Sequence, residues 1–218
     1  MEKTRMSMEI TIPAGPVSLG ASMAIPERAS GMVVFAHGSG SSRFSPRNNY
    51  VAGILRQEGM GTLLFDLLTE QEDVSYENRF NLDLLSRRLI MATEWLKTRP
   101  EAKGLKVGLF GASTGAAAAL IAVATPGTGI AAVVSRGGRP DMASQVLPEV
   151  KVPTLLIVGG HDKVVLSMNQ QAYAQLGGEK ELAVVPGASH LFEEPGKLEE
   201  VAALAAQWFK RYLGSGQR

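Results

Sequence analysis

Lys106–Val123, KVGLFGASTGAAAALIAV, changes character twice within eighteen residues. It starts as a short apolar run (Val107, Leu109, Phe110), passes through Gly111-Ala112-Ser113-Thr114-Gly115, and continues into an alanine-rich helix former. A strand that turns into a helix through Gly-x-Ser-x-Gly is a nucleophile elbow. Ser113 must then sit on a turn tight enough to lift its hydroxyl above the sheet, in a strained backbone conformation. Side chains at positions 111 and 115 would collide with neighbouring strands, so glycine is expected at both. The helix begins directly behind Ser113, and its free N–H groups and positive end favour a developing oxyanion.

Outward from the elbow, strands alternate with helices. Glu9–Ile12 and Val17–Ile25 predict an antiparallel hairpin around Pro13-Ala14-Gly15-Pro16. Gly31–Ala36 is a compact apolar run of the kind buried on both faces, and it ends in the loop His37-Gly38-Ser39-Gly40-Ser41-Ser42. Ser45-Pro46 supplies an N-cap and a first-turn proline for a helix to about Glu58. Thr62–Phe65 is a strand ending at Asp66, and Thr69–Glu77 reads as a polar surface excursion. Leu82, Leu85, Leu89, Ala92 and Leu96 stripe a helix within Asn78–Thr98, stopped by Pro100. Beyond the elbow come a strand at Ile130–Val134, a short helix at Met142–Leu147 and a strand at Thr154–Val158. A helix at Ser167–Leu176, a strand at Leu182–Val185 and a final helix striped by Leu198, Val201, Ala205, Trp208 and Tyr212 complete the pattern. This alternation predicts an α/β fold with a mostly parallel sheet and helices on both faces. With no repeat, linker or low-complexity tract, residues 1–218 read as one domain.

Composition narrows the function. The 218 residues are 45% hydrophobic and 20% charged, which suits a globular protein with a real core. A formal charge of +1 gives no reason to expect nucleic acid or a polyanionic partner. There are no cysteines, which excludes disulfides, zinc–thiolate sites and a cysteine nucleophile, and which suits a reducing compartment. MEKTRMSMEI has no apolar core of signal-peptide length, and no apolar run approaches the roughly 20 residues of a membrane span. The expectation is a soluble, cytoplasmic chain.

In parallel sheets ligands bind beyond the carboxyl ends of the strands. His37-Gly38-Ser39, Asp66, Ser113, Arg136, Asp162 and His190 all follow apolar runs, so the fold should bring them to one edge. A serine hydroxyl needs a base to take its proton. Of the three histidines, His190 lies after the last strand and is free to fold back over the sheet edge. His37 belongs to the glycine-rich loop and reads as structural, and His161 precedes Asp162. The base in turn needs a carboxylate to orient it. Asp162 fits, although it could instead cap the next helix, and Glu193 and Glu194 are nearby on a helix approach. The order Ser113, Asp162, His190 is the serine–acid–histidine order of one hydrolase architecture. A tetrahedral intermediate needs two backbone donors, which points to the N–H groups of Thr114 and Ser39, with Gly38 or Gly40 as near alternatives. A phosphate cradle is disfavoured, since neither Gly-Lys-Ser/Thr nor GxGxxG occurs.

FAHGSG, GASTG, LLIVGGHD and PGASHLF, in that order and spacing, resemble the α/β-hydrolase superfamily and its dienelactone-hydrolase-like branch. The similarity runs from about Gly31 to the last helix. It implies a sheet of about eight strands with no inserted cap domain, and a hydrolase of carboxylic esters, lactones or thioesters with no cofactor and no metal. Dienelactone hydrolases use cysteine as nucleophile where this chain has Ser113, which shifts the expectation to a serine esterase. Gly38, Gly40, Arg43 and Arg136 are candidate substrate contacts. Arg136 and Arg139, which flank Gly137-Gly138, either bind a substrate carboxylate at the site mouth or decorate a turn, and Arg43, Arg47, Asn48 and Tyr50 either rim the pocket or form a solvated helix start. The expected partner is a small or medium soluble ester or lactone, with no nucleic acid and no membrane, and a homodimer is left open. Two other readings stay open: a binding module with a vestigial triad, and acyl transfer to an acceptor other than water.

Overall fold

Strands buried on both faces form the centre of the structure, a computed structural model in which residues 7–214 are described. The stretch MEKTRMSMEI, read for a signal-peptide core, includes residues 1–6, which lie outside the described residues. Four strands are buried at every position: β3 (Met32–Ala36), β4 (Gly61–Phe65), β5 (Val107–Ala112) and β7 (Thr154–Gly159). With β1 (Met8–Ala14), β2 (Val17–Ala24), β6 (Ile130–Arg136) and β8 (Lys180–Val185) they make one eight-stranded sheet in the order β1-β2-β4-β3-β5-β6-β7-β8. The β1–β2 hairpin and the β2–β4 pair are antiparallel, and every other pairing is parallel. This is the α/β-hydrolase architecture that the sequence motifs imply.

The period of two along a strand divides the core. Val33 and Phe35 join one cluster with Val51 and Leu55 of α1 (Pro46–Gln57) and Trp208 and Phe209 of α6 (Lys197–Leu213). Val34 and Ala36 join the opposite cluster. There they meet Leu85, Leu89 and Leu96 on the helix Leu82–Lys97, and Ala117 to Leu120 on the elbow helix Thr114–Ala124. The alanine-rich elbow helix is buried almost all round, and small side chains let it approach the sheet closely. Each large apolar side chain withdrawn from water contributes roughly 1.5–3 kcal/mol.

Several elements depart from their predicted bounds for local reasons. The excursion after β4 contains the helix α2 (Glu70–Asp73), closed by a capping box in which Thr69 and Glu72 each take the other's backbone N–H. A 3₁₀ turn at Tyr76–Phe80 then precedes α3 (Leu82–Lys97), which Asn81 caps. With α4 at Thr114–Ala124, the next helix, α5 (Lys163–Gln175), begins four residues earlier than predicted because Asp162 caps it. The link from β6 to β7 is a 3₁₀ segment, Pro140–Glu149, kinked at Ala143 and bounded by prolines, so no cap is inserted there. Among the described residues no helix is long and apolar enough to cross a membrane.

Candidate active site

Ser113 has φ 52° and ψ −121°, one of two non-glycine residues with positive φ among the described residues. The elbow is therefore strained as its sequence requires. The two glycines relieve different clashes. A Cβ at Gly115 would lie 2.3 Å from the Ala36 carbonyl oxygen at the end of β3, a collision with the neighbouring strand as expected. A Cβ at Gly111 would lie 2.4 Å from Cα of Ala116, so that glycine makes room for the elbow's own helix rather than for a strand.

His190 and Asp162 meet across two loops. His190 Nδ1 donates to Asp162 Oδ2 at 2.6 Å. The close crossing is permitted by Gly159 at the end of β7, where a Cβ would stand 2.4 Å from the carbonyl oxygens of Ala188 and Ser189. Asp162 also caps α5, its Oδ1 accepting from Val165 N–H at 3.4 Å, so one carboxylate serves the helix and contacts His190 at once. The His190 loop is fastened on both sides. Ser189 N–H donates to Glu194 at 3.0 Å, the Ser189 side chain first and backbone N–H groups after it hold the Glu194 carboxyl below its usual range, and Phe192 is buried at φ 57°. Glu193 turns the other way, to Arg47 at 2.8 Å. Neither glutamate bonds to His190. No hydrogen bond joins the Ser113 hydroxyl to His190 among the described residues, but the two line one cavity of about 180 Å3.

That cavity is also lined by Gly38, Ser39, Ser41, Ser45, Arg47, Asn48, Arg136 and Leu191. Thr114 N–H heads the elbow helix, where no partner exists within the helix. Ser39 N–H donates to Thr114 Oγ1 at 2.8 Å, which clasps the loop after β3 to the elbow. His37 is buried and ties the same loop down: its Nδ1 bonds to the Gly38 carbonyl at 2.9 Å and its Nε2 accepts from Leu67 N–H at 3.0 Å. Burial lowers its pKa and favours the neutral ring.

Three expected substrate contacts sit elsewhere or differently. Arg43 is not at the Ser113 cavity. Its guanidinium and its backbone N–H both engage Asp66, because the loop after β3 runs alongside the end of β4. Gly40 faces Arg79 and Asp73, away from Ser113. Arg136 does reach the cavity, but from inside the sheet rather than at its mouth, since β6 continues in register through Ser135 and Arg136. Its Nε and Nη1 are buried with no partner, as are Arg47 Nε and Asn48 Oδ1. Tyr50 is exposed, and Arg139 pairs with Asp141 at 2.8 Å. The unpaired state of Arg136 had no sequence signal beyond the unbroken apolar register that precedes it.

The model of the dienelactone hydrolase family matches residues 21–214. A crystal structure of a dienelactone hydrolase from Anabaena variabilis is 53% identical, with a TM-score of 0.92 over 95% of this chain and 98% of that one. Two Mycobacterium tuberculosis proteins, provisionally named phosphoribosyl transferases, are 57% identical over 205 residues, covering 94% of this chain. The chain spans about half the length of these curated relatives, 46%. The Pyrococcus furiosus esterase Pf2001, at 19% identity and a TM-score of 0.75 over 96% of this chain and 94% of that one, shares the fold.

Proposed function

The chain belongs to the dienelactone hydrolase family, and from that premise we propose that it is a serine hydrolase of carboxylic esters, lactones or thioesters on small to medium soluble substrates. The observation that carries the reading is the convergence on one cavity of a strained Ser113 with His190, whose Nδ1 is held by Asp162. In this mechanism Ser113 attacks the carbonyl and His190 Nε2 takes its proton. Asp162 fixes the tautomer and stabilises the imidazolium. Hydrogen bonds between nucleophile and base tighten when substrate arrives, so the open Ser113–His190 geometry is compatible with these roles. Thr114 N–H and the helix behind it stabilise the oxyanion. Ser39 N–H is the second donor, exchanging the Thr114 hydroxyl for the substrate oxygen. As the C–O or C–S bond breaks, His190 gives that proton to the departing alcohol or thiol; it then takes a proton from the water that attacks the acyl-enzyme and returns it to Ser113 Oγ as the acid leaves.

The transferase name belongs to longer proteins of which this chain matches about half, and no phosphate-cradle motif occurs in the sequence here. A fluorophosphonate probe tests the proposal. Labelling of the intact protein, lost in Ser113→Ala, is expected, together with turnover of p-nitrophenyl esters that falls with acyl length. An unlabelled wild-type protein would rule out the acyl-enzyme.

A further inference from the structure

Asn169 is 0% exposed and stands about two turns along α5 from Asp162. Its Nδ2 donates to the Val165 carbonyl at 2.8 Å and to the Gly138 carbonyl at 3.0 Å. Its Oδ1 is buried with no donor among the described residues. Burying an amide with one end unpaired is costly, and a leucine would fill the space without that cost. The Val165 carbonyl already lies within the hydrogen-bond ladder of α5. What this side chain alone supplies is the bond to Gly138.

Gly138 belongs to a stretch, residues 136–139, that touches two members of the triad. The Arg136 carbonyl accepts from Ser113 N–H, and the Ser113 carbonyl accepts from Arg139 N–H, both at 3.2 Å. At Gly137, where φ is 51°, a Cβ would stand 3.1 Å from the His190 carbonyl oxygen and 3.4 Å from its Cε1. The imidazole therefore lies against this loop. The third member, Asp162, heads α5, where its Oδ1 accepts from Val165 N–H. Val165 thus gives its N–H to Asp162 and its carbonyl to Asn169, whose amide reaches across to the loop.

Resting on the hydrolase reading above, we propose that Asn169 is a positioning residue, whose bond to Gly138 sets the spacing between the helix that carries Asp162 and the loop that backs His190 and clasps Ser113. It touches none of the reacting atoms and acts through the Asp162–His190 pair. The bond between those two fixes the ring relative to α5, and Asn169 fixes α5 relative to Ser113. Apolar contacts such as those of Ala172 hold α5 to the core without direction, and the amide adds a directional one. A shift of about 1 Å between base and nucleophile can cost about a hundredfold in rate.

Asn169→Leu tests this. With p-nitrophenyl acetate, kcat should fall by about tenfold or more while KM changes by less than about threefold, because no substrate contact is removed. In an Asp162→Asn background the same substitution should cost less than about threefold in kcat, since the pair it positions is already broken. A merely structural amide predicts a lower melting temperature with kcat kept, or an equal loss of kcat in both backgrounds. Either result overturns the proposal, as does a loss in the otherwise wild-type protein smaller than about tenfold. If Asn169→Leu does not fold, Asn169→Ala carries the same comparison. The imidazole ring signals of His190 in an NMR spectrum, assigned with His190→Gln, give a readout that needs no turnover. Asn169→Leu should shift them in the folded protein. A wild type that is neither labelled nor active, together with shifted signals, removes the hydrolase reading and keeps the positioning contact. Unshifted signals overturn the positioning role whatever the activity.

Discussion

Two hollows open at the carboxyl edge of the sheet, on either side of the loop after β3. The larger, about 690 Å3, is bordered by His37, Arg43, Asp66, Thr69 and Asp73. There Arg43 is paired with Asp66, Asp73 takes two nitrogens of Arg79 at 2.9 Å, and both His37 ring nitrogens are in use. The smaller holds Ser113, His190 and Arg136. Its backbone is strained at Ser113, and several of its buried polar atoms are unpaired. Volume and chemistry part company here. A cavity most of whose charges are already paired has little to offer a ligand. One that keeps strain and unpaired donors gains free energy only when something binds.

This contrast breaks most sharply at Ser113. Ser113→Ala should cut kcat on any ester by about a millionfold while leaving the thermal melt nearly unchanged, as measured by p-nitrophenol release and calorimetry. Activity that survives the change would move the chemistry out of the smaller hollow. Asp162→Asn comes next, with an expected loss of about ten-thousandfold in kcat. Asparagine caps a helix about as well as aspartate, so α5 should hold and stability should change by less than about 1 kcal/mol. Near-full turnover would show that the Asp162–His190 contact is structural only.

On the other side of the loop the expected effects are on stability. His37 has a lowered pKa, so below the ordinary value of 6.5 the unfolded chain takes up a proton that the folded one refuses. Its stabilisation is complete above about pH 6.5 and declines as pH falls from there toward the depressed native value, with a slope of at most about 1.4 kcal/mol per pH unit. His37→Gln should flatten that part of the stability profile in denaturant titrations, and an unchanged slope would put the proton elsewhere. Arg43→Ala is the mildest: a loss of about 1 kcal/mol for a partly exposed ion pair, with kcat/KM within about threefold of the wild type. A drop of a hundredfold in kcat/KM would join the two hollows into one site.

Much of this was legible beforehand, and the reasons are local. Gly111-Ala112-Ser113-Thr114-Gly115 encodes its own turn, because each glycine answers a clash within a few residues or with the adjacent strand. Ser45-Pro46 fixed the start of α1 by the same short-range logic. The helix at Glu70–Asp73 was legible too, in the Thr69–Glu72 capping box, but the polar composition around it masked the signal. Arg43 went astray for a different reason. Its partner Asp66 lies 23 residues away, and closeness in sequence to the loop after β3 said nothing about which way the guanidinium turned.

The sequence by itself determined the order of strands and helices, the elbow, and the three residue types that converge beyond the strand ends. Apolar runs, caps and turn glycines act over a few residues, and the chain carries them openly. Only the tertiary structure decided which charges are neutralised and which are left waiting. Arg47 meets Glu193 across 146 positions, while Arg136, inside β6, meets no carboxylate among the described residues. Pairing depends on which distant backbones the sheet brings side by side, and the energy of a buried charge depends on everything around it.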